Sequence, residues 1–536
     1  MGKNLFAIIL AAICFAYPCS RAGAKNDDFC SAPINTSEGP VIGAKENHSQ
    51  VCVYKGIPYA EAPVGDLRFK PPQPAIKRNA VLSATEFGNQ CLQPGGNTLA
   101  LLVTGLSKQS EDCLYLNIWR PKNQDGLGPF PVMVWIHGGD LLQGSGASAM
   151  YDGAFLAGVK DLVIVTINYR LGPLGFLYHP ALAAEDAHKS SGNYGLMDQV
   201  KALEWVRGNI AGFGGDPANI TIFGQSAGGW SVCHLLASPL GQGLFDQAII
   251  MSGGCECARA VAQGEAYGRE FAARLGCAGD DAAQCLRLKT PAQIIDALGK
   301  DWQEMLGKFF PHIDGYALME MPLEALRSGR YNQVPLMAGS TRDEFKIFGN
   351  EIQGRDEKDL ARLKSALEKY MKAKLGGELF KLYPPEKYPS AKDAVYDAVG
   401  DAYLGCPCFR AALAASKFQP TYYYRFDFDD FLFPKMIGAA HGLDLPLVFG
   451  NYGELPMSLL YTQTQEKKAA QLSEIMMSYW ANFARTGNPN GPGLPDWKPY
   501  TNSSRSRMAL DLPVQSGKEQ MREKCDYWAK QPIVVH

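Results

Sequence analysis

The sequence has no excess of basic charge. Its 52 Lys and Arg residues stand against 54 Asp and Glu residues, a formal net charge of −2 over 536 residues. Proteins that bind nucleic acid or an anionic membrane surface need a basic excess to attract phosphate, so neither partner is expected. The sequence also contains no internal repeat and no low-complexity linker, which argues against a repeat array or a string of small domains.

Long apolar runs are also missing beyond the N-terminus. No later run reaches the roughly twenty residues that a membrane-spanning helix needs, so no membrane span is expected. Residues 1–24 have the pattern of a signal peptide, with a positive Lys3, an apolar run from Leu5 to Ala16 and a small-residue cleavage signal at 22–24. We expect cleavage near Ala24 and a secreted or periplasmic protein that starts at Lys25. A buried N-terminal helix is the alternative.

Apolar runs typical of β-strands alternate with helical patterns along most of the chain. Hydrophobic residues make up 46% and charged residues 20%, which is typical of a globular protein with a large core. Continuous apolar strands separated by helices predict an α/β fold with a large, mostly parallel sheet flanked by helices. The predicted strands are 130–137, 161–169, 219–223, 247–251, 334–338 and 422–427, and two of the predicted helices are 191–212 and 226–238.

Domain linkers are likewise absent from the sequence. We therefore predict one domain over residues 25–536. Residues 355–415 are charged, Ala-rich and helical in pattern, and we expect them to be an insertion packed over the edge of the sheet.

A candidate nucleophile lies in Gly224–Gly228, between the predicted strand 219–223 and the following helix. A serine on a tight strand-to-helix turn projects its Oγ away from the sheet, and the flanking glycines avoid clashes in the turn. Ser226 occupies that position, and the backbone N–H of Ala227 would point at a developing oxyanion. The alternative is a glycine-rich turn without chemistry.

Histidine is scarce, at 8 residues, so the search for a catalytic base is short. His441 lies among small residues in Gly438–Gly442, which lets an imidazole approach the nucleophile, and it follows Ser226 in the order Ser, acid, His. A loop histidine with a purely structural role is the alternative. The other seven lie near a terminus, in polar loops or predicted turns, or on elements that lead away from Ser226, and they are His48, His137, His179, His188, His234, His312 and His536. We interpret His137 as a scaffold for the Gly138-Gly139 loop, and we place His312 before a turn.

The acid that orients the base should follow a strand between Ser226 and His441. Asp343 and Glu344 come directly after the predicted strand 334–338. One of the two would stabilise the imidazolium, and the other would be a solvated or structural charge. The chemistry of the residues alone leaves both choices open.

Several motifs, taken in their order along the chain, resemble those of the type B carboxylesterase/cholinesterase-like family of the α/β-hydrolase fold. The resemblance extends from about Val41 to Pro499. The motifs are Tyr54–Gly65, Glu111–Trp119, His137–Gly139, Gly192–Gln199 and Phe213–Gly229. The resemblance implies helical insertions around an active-site gorge. It also implies Ser226 as nucleophile, Glu344 rather than Asp343 as acid, and His441 as base.

The resemblance also implies an oxyanion hole, disulfides and ion pairs. The oxyanion hole would be formed by the backbone N–H groups of Gly139, Asp140 and Ala227. The implied pairs are Cys91–Cys113 and Cys277–Cys285 for disulfides, and Arg68–Glu111 and Arg170–Asp198 for ion pairs. A Cys30–Cys52 disulfide is our own hypothesis, and the other cysteines of the mature chain are left unassigned, since six cysteines allow fifteen pairings.

Two positions depart from the pattern that the resemblance implies. Asp140 stands where a small residue is usual, and its carboxyl could be paired elsewhere, be protonated, or bind water or a cationic or hydroxylated substrate. Gln225 replaces the acidic residue that choline-binding members often carry before the serine. The loop between Cys91 and Cys113 also contains no aromatic residue to contact a quaternary ammonium group. Both features argue against cholinesterase activity.

The sequence therefore predicts an exported serine esterase that hydrolyses small-molecule carboxylic esters through an acyl-serine intermediate. No metal and no organic cofactor is implied, and no motif indicates an oligomeric state. One alternative is a lipase or complex-ester hydrolase on the same triad. Another is a non-catalytic binding or adhesion protein.

Overall fold

The strands of the described residues form one large sheet and three small ones. The structure, a computed structural model, describes residues 30–46, 51–95, 108–122, 128–300, 305, 307–349 and 352–531, so the predicted signal peptide lies outside the described residues. The strands are β1 (Ile34–Thr36), β2 (Gly39–Ile42), β3 (Ala44–Lys45), β4 (Val51–Pro58), β5 (Leu82–Ser83), β6 (Gln90–Cys91), β7 (Gln109–Ser110), β8 (Tyr115–Pro121), β9 (Phe130–Ile136), β10 (Val163–Ile167), β11 (Gly215–Gln225), β12 (Gln247–Met251), β13 (Arg259–Ala260), β14 (His312–Ile313), β15 (Leu336–Thr341), β16 (Thr421–Phe426), β17 (Ser506–Leu510) and β18 (Gln515–Lys518).

Helices connect most of the later strands. They are α1 (Ala154–Lys160), α2 (Gly172–Phe176), α3 (Pro180–Glu185), α4 (Tyr194–Asn209), α5 (Ala227–Ala237), α6 (Val261–Arg274), α7 (Ala282–Leu288), α8 (Pro291–Asp296), α9 (Pro322–Ser328), α10 (Leu360–Met371), α11 (Leu379–Leu382), α12 (Ala391–Gly400), α13 (Cys406–Ala415), α14 (Pro434–Ile437), α15 (Leu445–Phe449), α16 (Gln463–Thr486) and α17 (Arg522–Trp528). None of the helices within the described residues is long and apolar enough to cross a membrane.

The large sheet has 11 strands in the order β18-β17-β16-β15-β12-β11-β9-β10-β8-β4-β3. The pairs from β10 to β17 are parallel, and the outer pairs at both ends are antiparallel. Because the carboxyl ends of parallel strands meet at one edge, residues that follow β9, β11 and β15 come close together. The predicted mostly parallel sheet is confirmed, and β12 spans the predicted residues 247–251.

Both faces of the sheet are buried. Alternate residues of β9 divide between two hydrophobic cores, with Val132 and Val134 in one and Met133 and Trp135 in the other. Helices α4 and α5 cover the first face, and α1 and α16 cover the second. A parallel sheet has to be covered on both faces, and this explains why its strands are apolar without interruption.

The last helix of the helix-rich segment 355–415 does not lie over the sheet edge, where the sequence suggested that the segment packs. This helix, α13, packs on a face of the sheet, where the Phe409 ring lies 5.7 Å from that of Tyr423 in β16. The Cys408 thiol of the same helix donates to the Gly339 carbonyl of β15 at 3.2 Å. Both strands are interior to the sheet, so this segment supplies part of the cover that a buried face requires.

Disulfides connect several parts of the described chain. The structure pairs Cys91 with Cys113 and Cys277 with Cys285, and it also forms Cys30–Cys52. Two further disulfides could not be assigned from the sequence, and these are Cys233–Cys255 and Cys406–Cys525. The implied ion pairs are present and buried, with Arg68 Nε 2.5 Å from Glu111 and Arg170 Nη2 2.7 Å from Asp198.

Candidate active site

Ser226 lies between the end of β11 and the start of α5. Its backbone has φ 58° and ψ −125°, a region that non-glycine residues rarely adopt. The turn is held because the Ser226 N–H donates to the Met251 carbonyl at 2.9 Å. A side chain on Gly228 would collide with the Ile136 carbonyl of β9. The glycines predicted to flank the serine are therefore required by the close approach of helix and sheet.

His441 and Glu344 are in direct contact, although 97 positions separate them in sequence. His441 Nδ1 lies 2.5 Å from Glu344 Oε2. The other carboxylate oxygen, Oε1, accepts the Thr341 N–H at 2.7 Å, and the Glu344 residue is only 3% exposed. Both oxygens are thus engaged, and the carboxylate is held in one orientation against the imidazole.

Asp343, the other candidate acid, faces a different group. Its Oδ2 accepts the Ala439 N–H at 2.8 Å and pairs with Arg342 at 2.8 Å. Asp343 therefore supports the backbone of the loop that contains His441, while Glu344 contacts the imidazole. The two adjacent carboxylates thus point in different directions, and of the two only Glu344 reaches the imidazole.

A turn after β9 presents backbone N–H groups beside Ser226. Gly139 has φ 105° and Asp140 has φ 60°, and the Gly139 carbonyl accepts the Gln143 N–H at 3.0 Å. Within the described chain, the N–H groups of Gly139, Asp140 and Ala227 donate to no protein atom. These three donors are free to bind an anionic oxygen, which is the property that an oxyanion hole needs.

Known proteins resemble this chain over most of its length. The sequence model of the carboxylesterase family matches residues 31–528. The chain belongs to the carboxylesterase family. It is therefore a carboxylic ester hydrolase, and its substrates are small-molecule esters.

Individual members of the family resemble the chain over nearly its whole length. A para-nitrobenzyl esterase of Bacillus subtilis is 38% identical over 501 residues, which cover 92% of this chain and 97% of that protein. Carboxylesterase 1D of Rattus norvegicus is 35% identical over 93% of this chain and 92% of its own length. A solved structure of a thermophilic para-nitrobenzyl esterase has a TM-score of 0.79 and 36% identity, and the match covers 93% of this chain and all of that chain.

In this esterase the side chain of Gln225, the residue before Ser226, contacts the candidate base His441. Gln225 Nε2 lies 2.9 Å from His441 Nε2, and Gln225 is 4% exposed. Ser226 Oγ makes no hydrogen bond to His441 within the described residues. In the sequence, Gln225 stands out only because it replaces an acidic residue, and its contact with His441 was not predicted. Its position beside the nucleophile was the one available signal of this contact.

Asp140 has the carboxyl group with the least support in the site. Its Oδ2 is inaccessible to solvent and has no hydrogen-bond partner. No ion pair or hydrogen bond to the Asp140 carboxyl occurs among the residues that the structure describes. Burial raises the pKa of Asp140 to about 8. Pairing elsewhere, one of the three outcomes considered for Asp140, is therefore wrong, and a protonated carboxyl at neutral pH is favoured.

A second buried carboxyl, which was not predicted from the sequence, belongs to Asp444, three residues after the candidate base. Asp444 precedes α15 and is fully buried, and its Oδ2 accepts a hydrogen bond from Tyr424 OH at 3.5 Å. Burial, with the nearby charge of Glu344, raises the pKa of Asp444 to about 7. The sequence indicated this residue only indirectly, because Asp444 follows His441 by three residues and directly precedes an apolar helix.

Three of the remaining histidines have structural roles. His137 Nδ1 is 2.8 Å from the Gly138 carbonyl, so this residue does scaffold the loop as predicted. His234 contacts the Cys257 carbonyl. His312 does precede a turn, in which the Asp314 carboxylate accepts the N–H groups of Tyr316, Ala317 and Leu318. It also lies in β14 and pairs with Arg259 of β13, which was not predicted, because short β-bridges leave no periodic pattern in sequence. Burial lowers the pKa of each to about 4, so all three are neutral.

No group of three or more metal-ligating side chains occurs in the part of the chain that the structure describes.

Proposed function

We propose that the protein is an exported serine carboxylesterase in which Ser226 is the nucleophile, His441 the base and Glu344 the orienting acid. The observation that carries the proposal is the His441–Glu344 contact at 2.5 Å beside a serine on a tight strand-to-helix turn. A non-catalytic binding protein would have no need for this combination.

In the proposed reaction the Ser226 oxygen attacks the ester carbonyl carbon, and its proton passes to His441 Nε2. The negative charge that develops on the carbonyl oxygen is bound by the N–H groups of Gly139, Asp140 and Ala227. Glu344 stabilises the imidazolium through Nδ1. When the C–O bond breaks, His441 returns the proton to the leaving alkoxide, and an acyl-Ser226 ester remains.

The second half of the reaction repeats these steps with water. His441 removes a proton from a water molecule, the resulting hydroxide attacks the acyl carbon, and the same three N–H groups bind the oxyanion. His441 then protonates Ser226 Oγ as the acid product leaves. One ester and one water are consumed, and one alcohol and one carboxylic acid are formed.

The Asp140 carboxyl has to be neutral for this oxyanion hole to function well. Two like charges at 4 Å with an effective dielectric of about 20 repel by roughly 4 kcal/mol. An ionised Asp140 beside the oxyanion would therefore cancel much of what the N–H groups provide. Burial of Asp140 raises its pKa to about 8, which keeps the carboxyl protonated at neutral pH.

Export is proposed from the N-terminal pattern together with the disulfides. The described residues form 5 disulfides, Cys30–Cys52, Cys91–Cys113, Cys233–Cys255, Cys277–Cys285 and Cys406–Cys525. Disulfides persist in oxidising compartments and are rare in the cytosol. N-terminal sequencing of the exported protein should read from Lys25, as one mature domain over residues 25–536. Recovery of the enzyme only inside the cell, with Met1 intact, would contradict export.

The triad is tested by labelling with a fluorophosphonate probe and by hydrolysis of a para-nitrobenzyl ester, a substrate suggested by the name of the Bacillus relative. Ser226→Ala should abolish labelling and lower kcat by about 10⁴-fold or more. Ser252→Ala is the matched control, because Ser252 follows the adjacent strand β12 and its buried hydroxyl has no partner. The catalytic proposal fails if folded wild-type enzyme is not labelled, or if Ser226→Ala still is.

A further inference from the structure

Gln225 is the last residue of β11, and its side chain extends from the nucleophile turn to the base. Its Nε2 lies 2.9 Å from His441 Nε2. Its Oε1 faces Gly138, where an added Cβ would lie 3.4 Å away. The residue is 4% exposed, so the amide is enclosed between the oxyanion loop and the His441 loop.

The direction of this hydrogen bond follows from the other side of the ring. His441 Nδ1 lies 2.5 Å from a carboxylate oxygen of Glu344, so Nδ1 bears the proton and donates it. In a neutral imidazole the second nitrogen then has a lone pair and can only accept. The Gln225 amide therefore donates its N–H to Nε2.

The same lone pair has to accept the proton of Ser226 during catalysis. A hydrogen bond from Ser226 Oγ to His441 Nε2 is not found among the described residues, whereas the Gln225 bond is present. Two donors on adjacent residues thus compete for one acceptor. In the resting structure the acceptor is bound to Gln225.

We propose that Gln225 is a positioning residue that holds His441 in its neutral, Nδ1-protonated form at rest and yields Nε2 to Ser226 when an ester binds. The inference rests on the proposed function, since it assigns Gln225 a role through the base. The amide proton is not transferred. An amide N–H pointing at Nε2 disfavours the imidazolium, whose own Nε2–H would face it.

Other ionisable groups face the His441 loop from the neighbouring elements. Glu344 contacts Nδ1, and Asp444 is close enough to interact electrostatically with both Glu344 and His441. Asp343 pairs with Arg342 and binds the Ala439 N–H. Further groups are Lys346 beside Gly438, Asp140 in the oxyanion loop, and Tyr424 and Cys408, whose pKa values burial raises. Gln225 is the one described side chain that hydrogen-bonds Nε2, so replacing it alters that nitrogen and leaves the Nδ1 contact in place.

The pH dependence of kcat/KM reports this contact, because the base has to be neutral to act. In Gln225→Glu a carboxylate would accept the Nε2–H of the imidazolium and favour the inactive form. We expect the midpoint of the acidic limb to rise by about one pH unit. Gln225→Met keeps the shape of the side chain but lacks the N–H donor. We expect a smaller rise of the acidic midpoint, with the plateau value of kcat/KM within about threefold of wild type.

The matched control is Gln199→Met. Gln199 is as buried as Gln225, at 1% exposed, but its amide donates to Ser231 Oγ at 3.0 Å and contacts no triad residue. Its acidic limb should coincide with that of wild type. A role of Gln225 in folding alone would lower the melting temperature or the plateau but would leave the midpoint in place.

Fluorophosphonate labelling of the same proteins separates this inference from the proposed function. The inference is supported if all variants are labelled and the midpoints rise in the order wild type, Met, Glu. It is overturned if all are labelled and the Glu midpoint stays within about 0.2 pH unit of wild type. Absence of labelling in folded wild type overturns the proposed function and, with it, the role of Gln225.

Discussion

The two loops that flank Ser226 hold their carboxyl groups in opposite ways. On the His441 side, Glu344 accepts from Thr341 N–H and contacts the imidazole, and Asp343 accepts from Ala439 N–H and pairs with Arg342. On the oxyanion side, Asp140 Oδ2 is buried with no partner. A partnered carboxyl can remain charged in a buried site, whereas an isolated one is held neutral by the cost of desolvation.

Carboxyl groups of the same residue type have different environments in this site. Asp140 and Asp343 have the same side chain, but burial raises the pKa of Asp140 to about 8. The Asp140 carboxyl belongs to the loop that is proposed to bind the oxyanion, and the partnered carboxyls belong to the segment that contacts the proposed base and its loop. The loops thus match the charges that the proposed reaction develops.

The largest expected effect comes from removing the charge on the base side. Glu344→Gln keeps the size of the side chain but presents an uncharged amide to Nδ1, which favours the wrong imidazole tautomer. We expect kcat to fall by about 10³- to 10⁴-fold. Steady-state kinetics with a para-nitrobenzyl ester checks this, and a melting curve confirms folding.

Asp343→Asn is the control for Glu344→Gln, since Asp343 adjoins it and supports only the loop backbone. We expect a loss of about tenfold or less, because the amide oxygen can still accept the Ala439 N–H. Equal losses of kcat in Glu344→Gln and Asp343→Asn would contradict the assignment of separate roles to the two carboxylates.

A smaller effect on activity is expected from ionisation of the Asp140 carboxyl in the oxyanion loop. Burial raises the pKa of Asp140 to about 8, so the carboxyl becomes charged above this pH. Wild-type kcat/KM should fall by about 10²-fold between pH 7 and pH 10, because the new charge opposes the oxyanion and only about 1% of the carboxyl stays protonated at pH 10. Asp140→Asn cannot ionise, and its profile should remain flat. A wild-type profile without this fall, or the same fall in Asp140→Asn, would contradict the assignment.

The smallest expected effect concerns stability and the buried Asp444. Its pKa is raised to about 7 in the folded protein, against about 4 in an unfolded chain. Folding therefore takes up a proton between these values, and stability falls as pH rises through this window. Asp444→Asn removes the titration, so its melting temperature relative to wild type should be a few degrees higher at pH 8 than at pH 5.

Thermal denaturation at both pH values measures this difference for Asp444→Asn. Asp427→Asn serves as the control, because that carboxylate is buried but paired with Arg425 at 2.5 Å. The melting temperature of Asp427→Asn relative to wild type should be no higher at pH 8 than at pH 5. A relative melting temperature of Asp444→Asn that does not change with pH would mean that Asp444 is charged and stabilised in the folded protein.

Much of the fold and part of the site could be predicted from local patterns. Unbroken apolar runs predicted the parallel strands, and the glycines around Ser226 predicted its turn, since both depend on neighbours a few residues apart. The Gln225 contact and the position of α13 on a sheet face could not be predicted. They depend on which surfaces meet after the chain has folded back on itself.

The sequence by itself determined the elements: strands buried on both faces, a serine in a strand-to-helix turn, and a histidine among small residues. Only the tertiary structure decided their partners. It brought Glu344 rather than Asp343 to a histidine 97 positions away, paired Cys406 with Cys525, and left Asp140 without a partner. Local periodicity and glycine content act over a few residues. The contacts that set charge and proton position form between segments joined only by packing.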